Sequence, residues 1–150
     1  MYTDSPKLQL IVGLLDGGAF STARAMHQLS SVATLGWSFG GAQSLRASLA
    51  MPDETAATVI YYGQLQTDPA KLATLKHPVI GFFGGADGGI PVESVRSFES
   101  GLKAQGTPVD VNVYAATGHA FANPSGKNYQ PAAAEDAWRR TTDFLAKNLK

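Results

Sequence analysis

Cysteine is absent from the 150 residues, which excludes disulfides, zinc–thiolate sites and a thiol nucleophile. An excess of either charge is also lacking: 12 Lys and Arg balance 12 Asp and Glu, and no stretch concentrates one sign. Without the basic footprint of a nucleic-acid binder, a small neutral substrate or a protein partner fits better than a polyanion. Histidine is scarce, and His27, His77 and His119 lie far apart without ligand spacing, so neither a metal nor a cofactor is expected. Long apolar runs are missing too. Leu8 to Leu15 is too short to cross a membrane, and Asp4 ahead of it argues against an export leader, so a cytoplasmic protein with no membrane partner is expected.

No repeat, low-complexity tract or linker divides residues 1–150, which predicts one domain able to bury about two thirds of its unfolded surface. From residue 32 onward, short apolar runs rich in β-formers alternate with helical patterns. Val32 to Trp37 reads as a strand and Ser38 to Ala50 as a helix that must stop before Pro52. Ala57 to Tyr62 is a second strand, and Asp68-Pro69 caps a short helix to about Leu75. Val79 to Phe83 is a third strand. In the helix from Pro91 to Gln105, Val95, Phe98 and Leu102 share one face, with Gly106 as its stop. Val109 to Tyr114 is a fourth strand. The last helix, from about Ala132 to Leu149, places Ala134, Trp138, Thr141, Leu145 and Leu149 on a stripe, with Trp138 read as core. Alternation of mostly apolar strands with helices predicts an α/β chain, its parallel sheet covered on both faces. Before residue 32 the pattern is ambiguous: Leu8 to Leu15 fits strand or helix, and Ser21 suits a cap for a helix through Leu29.

The sequence Gly36-Trp37-Ser38-Phe39-Gly40 sits between a strand and a helix, the context of a nucleophile elbow. Such a short pattern also arises in ordinary glycine-rich bends, so its meaning depends on residues further along the chain. A serine hydroxyl needs a base to become nucleophilic, and in this architecture an acid and then a histidine come after it, each just past a strand end. Asp87 follows the third strand in Gly-Gly-Ala-Asp-Gly-Gly, and His119 follows the fourth in Thr-Gly-His-Ala-Phe. Taken singly, each is equally a loop residue. Together, in this order and at the strand edge where α/β sheets place ligands, they predict a Ser38–His119–Asp87 site. The Phe39 backbone N–H, at the helix start, is the expected oxyanion donor. Trp37, Tyr62 and Phe121 are candidates for substrate contact, as is the Phe39 ring, although core packing explains each aromatic as well. His77 and His27 read as structural.

With these motifs placed, the stretch from about Thr34 to Leu149 resembles the C-terminal part of the dienelactone hydrolase family of α/β-hydrolases. The resemblance is carried by GWSFGG, VIYYG, HPVIGFFGGAD with the following IP, VNVYAATGHAFANP and AAAEDAWRRTTDFL. It implies a truncated α/β-hydrolase fold of about four parallel strands flanked by helices on both faces, with Ser38, Asp87 and His119 at the triad positions. Three departures stand out. The family's usual nucleophile is cysteine; serine here points to ester hydrolysis, or to a Cys→Ser change that silences the site. Asn123 stands where the founding enzymes carry a substrate-binding arginine, which argues against dienelactone itself. Finally, family members carry a longer N-terminal part that supplies the first strands and a loop with the second oxyanion N–H. Without it, strand 32–37 is expected to be an exposed apolar edge, which invites a homodimer covering it.

The expected function is a cofactor-independent serine hydrolase acting on small carboxylic esters through an acyl-enzyme. Two alternatives remain at this level: a catalytically weak assembly or binding module, and a hydrolase of lactones or phosphotriesters using the same three residues.

Overall fold

The computed structural model describes residues 9–12 and 32–149. Its one sheet contains five parallel strands in the spatial order of the chain: β1 (Gln9–Val12), β2 (Val32–Trp37), β3 (Thr55–Tyr61), β4 (Val79–Gly84) and β5 (Val109–Tyr114). Parallel neighbours require crossovers. These are α1 (Phe39–Ala50), α2 (Pro69–Leu72) and α3 (Val92–Ala104), while α4 (Pro131–Asn148) closes the described chain. The four expected strands are present within two residues of their predicted limits.

The fifth strand overturns one expectation. β2 is not an edge, because β1 pairs with it from Gln9↔Val32 to Val12↔Leu35. A strand that buries Val32 to Gly36 has strong reason to recruit a neighbour, and part of the ambiguous run Leu8–Leu15 supplies it. The argument for a dimer that covers residues 32–37 therefore loses its premise. The suggested helix through Leu29 lies outside the described residues, as does His27.

Alternation along the strands divides the core in two. Ala57, Val59 and Tyr61 of β3, with Ile80 and Phe82 of β4, face Ala133, Ala137 and Leu145 of α4. On the opposite face, Ile60, Val79 and Phe83 pack with Leu45 of α1, Leu72 of α2, and Val95, Phe98 and Leu102 of α3. The α3 stripe is the one its periodicity predicts. The α4 stripe holds at Thr141, Leu145 and Leu149, but its first two positions are displaced by one residue, about 100°: Ala133 and Ala137 are buried, whereas Trp138 is 49% exposed. Small side chains at 133 and 137 let the helix lie close to the sheet, and Thr141 Oγ1 meets the buried Tyr61 hydroxyl at 2.7 Å. An indole would not fit that approach, so Trp138 is not core.

Helix α1 docks through hydroxyls as much as through apolar contact. Ser44 Oγ donates to the Val59 carbonyl (2.9 Å) and lies within hydrogen-bond distance of Thr34 Oγ1 (2.9 Å), and Ser48 Oγ is hydrogen-bonded to Thr34 and Thr58. The chain ends at His77 Nε2, 2.7 Å from Thr58 Oγ1. Burial lowers the His77 pKa to about 4, which keeps this histidine neutral and structural. The network fixes α1, and thus its N-terminus, against β2 and β3.

Candidate active site

The β2–α1 turn forms because backbone meets backbone there. A Cβ on Gly36 would lie 2.0 Å from the Gly40 carbonyl oxygen, so only glycine permits the strand to turn directly into the helix. Ser38 occupies the apex with φ 54° and ψ −118°, and its N–H donates to the Tyr61 carbonyl at the end of β3 (2.9 Å). Such a conformation costs about 1–3 kcal/mol and persists only where surrounding contacts impose it. It lifts the side chain clear of the carboxyl edge of the sheet. The next residue begins α1, so the Phe39 N–H has no carbonyl one turn back within the helix and is available at its positive end.

Asp87 and His119 stand on loops that are joined to each other. The Gly85 N–H donates to the Tyr114 carbonyl (2.8 Å) and the Ala86 N–H to the Thr117 carbonyl (2.9 Å). Close approach of the loops requires Gly84, where a Cβ would fall 2.5 Å from the Thr117 oxygen. His119 consequently lies between the other two residues. Its Nδ1 is 2.6 Å from Asp87 Oδ2, and its Nε2 is 2.8 Å from Ser38 Oγ.

The remaining contacts determine the tautomer. Asp87 Oδ1 accepts from the N–H groups of Gly89 (2.8 Å) and Ile90 (3.2 Å), leaving Oδ2 for the imidazole. A carboxylate accepts only, so the ring carries its proton on Nδ1 and presents Nε2 as the acceptor for the Ser38 hydroxyl. Asp87 is buried, with 1% of its side-chain surface accessible, whereas the His119 side chain is 41% accessible. Asn128 Nδ2 donates to the His119 carbonyl (3.0 Å), and the Tyr62 ring meets the imidazole edge-on at 5.3 Å. The arrangement can take a proton from Ser38, hold it as an imidazolium beside a buried carboxylate, and return it.

Among the described residues, two clefts open at Ser38. A larger one, about 890 Å³, is lined by Phe39, Arg46, Gln64, Asp87, His119 and Asn128 among others. A smaller one, about 310 Å³, is bounded by Trp37, Ala120, Ala122 and Asn123. Ser38 and Tyr62 line both. Trp37, Tyr62 and Phe39 therefore line the clefts at Ser38, Phe39 with 63% exposure. Phe121 does not. It is fully buried beneath Tyr62 and Tyr114, where the sheet and the chain entering α4 enclose it. Tyr62 is itself 2% exposed, and burial raises its pKa to about 12, so its phenol stays protonated.

Arg46, Gln64 and Asn128 escaped sequence reasoning. Arg46 follows Ala42 by one helical turn on the face that begins at Ser38, and Gln64 follows Gly63 just past the end of β3, so both had a positional signal. Asn128 lies nine residues beyond His119 and had none. Among the described residues no group of three or more His, Asp or Glu could hold a metal ion, and no helix is long and apolar enough to cross a membrane.

Comparison with known proteins shows the family and the fold. The model of the dienelactone hydrolase family matches residues 13–149. A Methylorubrum extorquens protein named as a candidate carboxymethylenebutenolidase is 30% identical over 93% of this chain and 51% of its own length. An Escherichia coli K12 protein of the same name is 36% identical over 59% of this chain and 36% of its own length. Among solved structures, a candidate dienelactone hydrolase of Klebsiella pneumoniae superposes with a TM-score of 0.69 at 25% identity, covering 77% of this chain and 51% of its own. The butyrate-bound esterase 2 of Thermogutta terrifontis, at 19% identity and a TM-score of 0.58, shares the fold. The chain spans about half the length of the first of these curated relatives.

Proposed function

The chain belongs to the dienelactone hydrolase family, and from that premise we propose that it is a serine hydrolase of small carboxylic esters, working through an acyl-enzyme. The observation that carries this reading is the continuous hydrogen-bond chain from Ser38 Oγ through His119 to Asp87, at 2.8 and 2.6 Å. His119 Nε2 takes the hydroxyl proton as Ser38 Oγ adds to the ester carbonyl. Buried Asp87 holds the ring in the required tautomer and stabilises the imidazolium. The Phe39 N–H is one donor to the oxyanion. Collapse breaks the carbonyl–alkoxide bond, the imidazolium protonates the departing alcohol, and water deprotonated by His119 then releases the acid and restores Ser38.

The same chain speaks against a mere binding module, in which a serine would have no reason to occupy a strained turn 2.8 Å from a histidine held by a buried aspartate. Hydrolysis of p-nitrophenyl acetate or butyrate, lost in Ser38→Ala, is the expected result. Stoichiometric labelling of Ser38 by a fluorophosphonate is its independent counterpart. Equal turnover in wild type and Ser38→Ala would overturn the reading.

A further inference from the structure

The two clefts differ in which part of the machinery they contain, and that difference orients a substrate. His119 lines the larger cleft and not the smaller. The carbon attached to Ser38 Oγ carries three other groups: the oxyanion, the departing alkoxide and the acyl chain. Only the alkoxide must receive a proton, and the donor is His119 Nε2. The alcohol half therefore belongs on the His119 side, in the larger cleft. Once the oxyanion faces the Phe39 N–H, the acyl chain is left the remaining direction, past Tyr62 into the smaller pocket.

That pocket is a built feature. Three non-glycine residues among those described have positive φ: Ser38 (54°), Tyr62 (35°) and Ala120 (61°). All three line the smaller pocket. Backbone strain of this kind survives where the surroundings enforce it, and here it sets the positions of two walls and the nucleophile. One wall is indole: the Trp37 ring is braced against buried Tyr61 at a centroid distance of 5.2 Å. The Tyr62 ring is locked between His119 and Phe121, each at 5.3 Å. Its about 310 Å³ lies at the lower end of small-molecule sites, and the larger cleft's 890 Å³ near the upper end.

We propose that Tyr62 divides the substrate at Ser38, the Trp37–Ala120–Ala122 pocket taking the acyl chain and limiting its length, and the larger cleft taking the alcohol half with little restriction. The substrate class is then short-chain acyl esters of bulky alcohols. This assignment rests on the serine-hydrolase reading above.

The test varies each half separately. Wild type is assayed with p-nitrophenyl esters from acetate to decanoate, and with acetate esters of methyl, phenyl and naphthyl alcohols. The expected result is a steep fall in kcat/KM with acyl length and a shallow dependence on alcohol size. Trp37→Ala, which removes a pocket wall, raises the hexanoate-to-acetate ratio of kcat/KM by about tenfold or more, the usual discrimination of an apolar pocket. Ala122→Leu on another wall lowers the ratio, which keeps the test decisive if loss of the indole impairs folding. Both variants leave the ranking of alcohols as in wild type. A variant that changes alcohol preference instead of acyl preference, or neither, overturns the assignment. Absence of any Ser38-dependent turnover with any ester overturns the serine-hydrolase reading itself, and the division with it.

Discussion

Replacing Asp87 with asparagine tests the proposed mechanism at its most constrained atom. The side chain has two jobs: Oδ1 accepts from the Gly89 and Ile90 N–H groups, and Oδ2 accepts from His119 Nδ1. An asparagine can retain the first only by keeping its oxygen at Oδ1, which places the NH₂ group against Nδ1. Nδ1 must then become an acceptor, the ring proton moves to Nε2, and Ser38 faces a donor instead of a base. Flipping the amide satisfies the imidazole but sets NH₂ against two N–H donors in a site with 1% side-chain accessibility, a loss of about 1–3 kcal/mol for each buried group left unpaired. The wrong tautomer is thus the stable one. In enzymes with this chain the cost is about 10⁴ in kcat, or about 5 kcal/mol of transition-state stabilisation. The expected result for Asp87→Asn is a kcat on p-nitrophenyl butyrate lowered by about 10³–10⁴, with KM little changed and the thermal midpoint within a few degrees of wild type. Turnover within tenfold of wild type in a folded variant would refute the reasoning, because His119 would then act as base without a tautomer imposed by Asp87.

Two further outcomes are expected from the fold. Gly36→Ala forces a methyl to within 2.0 Å of the Gly40 oxygen, so strand and helix must part. The expected losses are about 1–3 kcal/mol of stability or more and at least about a hundredfold in kcat/KM, since a shift of about 1 Å in a reacting group is sufficient. Wild-type melting with full activity would contradict the close approach. His77 predicts a pH effect on stability: its pKa falls from 6.5 unfolded to about 4 folded, so the unfolded chain binds more protons between those values. Stability is unaffected by this group above pH 6.5, declines as pH falls toward 4, and levels off below. Full conversion is about 3 kcal/mol, and partial exposure of the ring reduces this to about 1–2 kcal/mol. Urea unfolding of His77→Gln across this range shows a flatter pH profile; an unchanged profile would exclude His77 as the cause.

Much of the site was legible because its signals are local. Gly36-x-Ser38-x-Gly40 needs only a strand before it and a helix after it, and both have short-range signatures. Asp87 and His119 were legible through their order along the chain, since in a parallel sheet every second loop emerges at the same edge. Other features depended on contacts between distant segments. Gln9–Val12 could have been helix or strand until Val32–Leu35 offered it a ladder. Trp138 and Ala137 are neighbours on a helix whose pattern tolerates either inward. The Tyr61–Thr141 hydrogen bond, 80 residues apart in sequence, and the close approach of the helix selected alanine.

By itself, then, the amino-acid sequence determined the α/β alternation, the elbow and the identity and order of Ser38, Asp87 and His119. These arise from backbone sterics, capping and periodicity, which act within a few residues. Tertiary structure alone decided that β2 has a partner, that Phe121 is core and Phe39 is surface, and that two unequal clefts meet at Ser38. Those outcomes depend on which surfaces exclude water from one another, and that is settled only when every packed segment is in place.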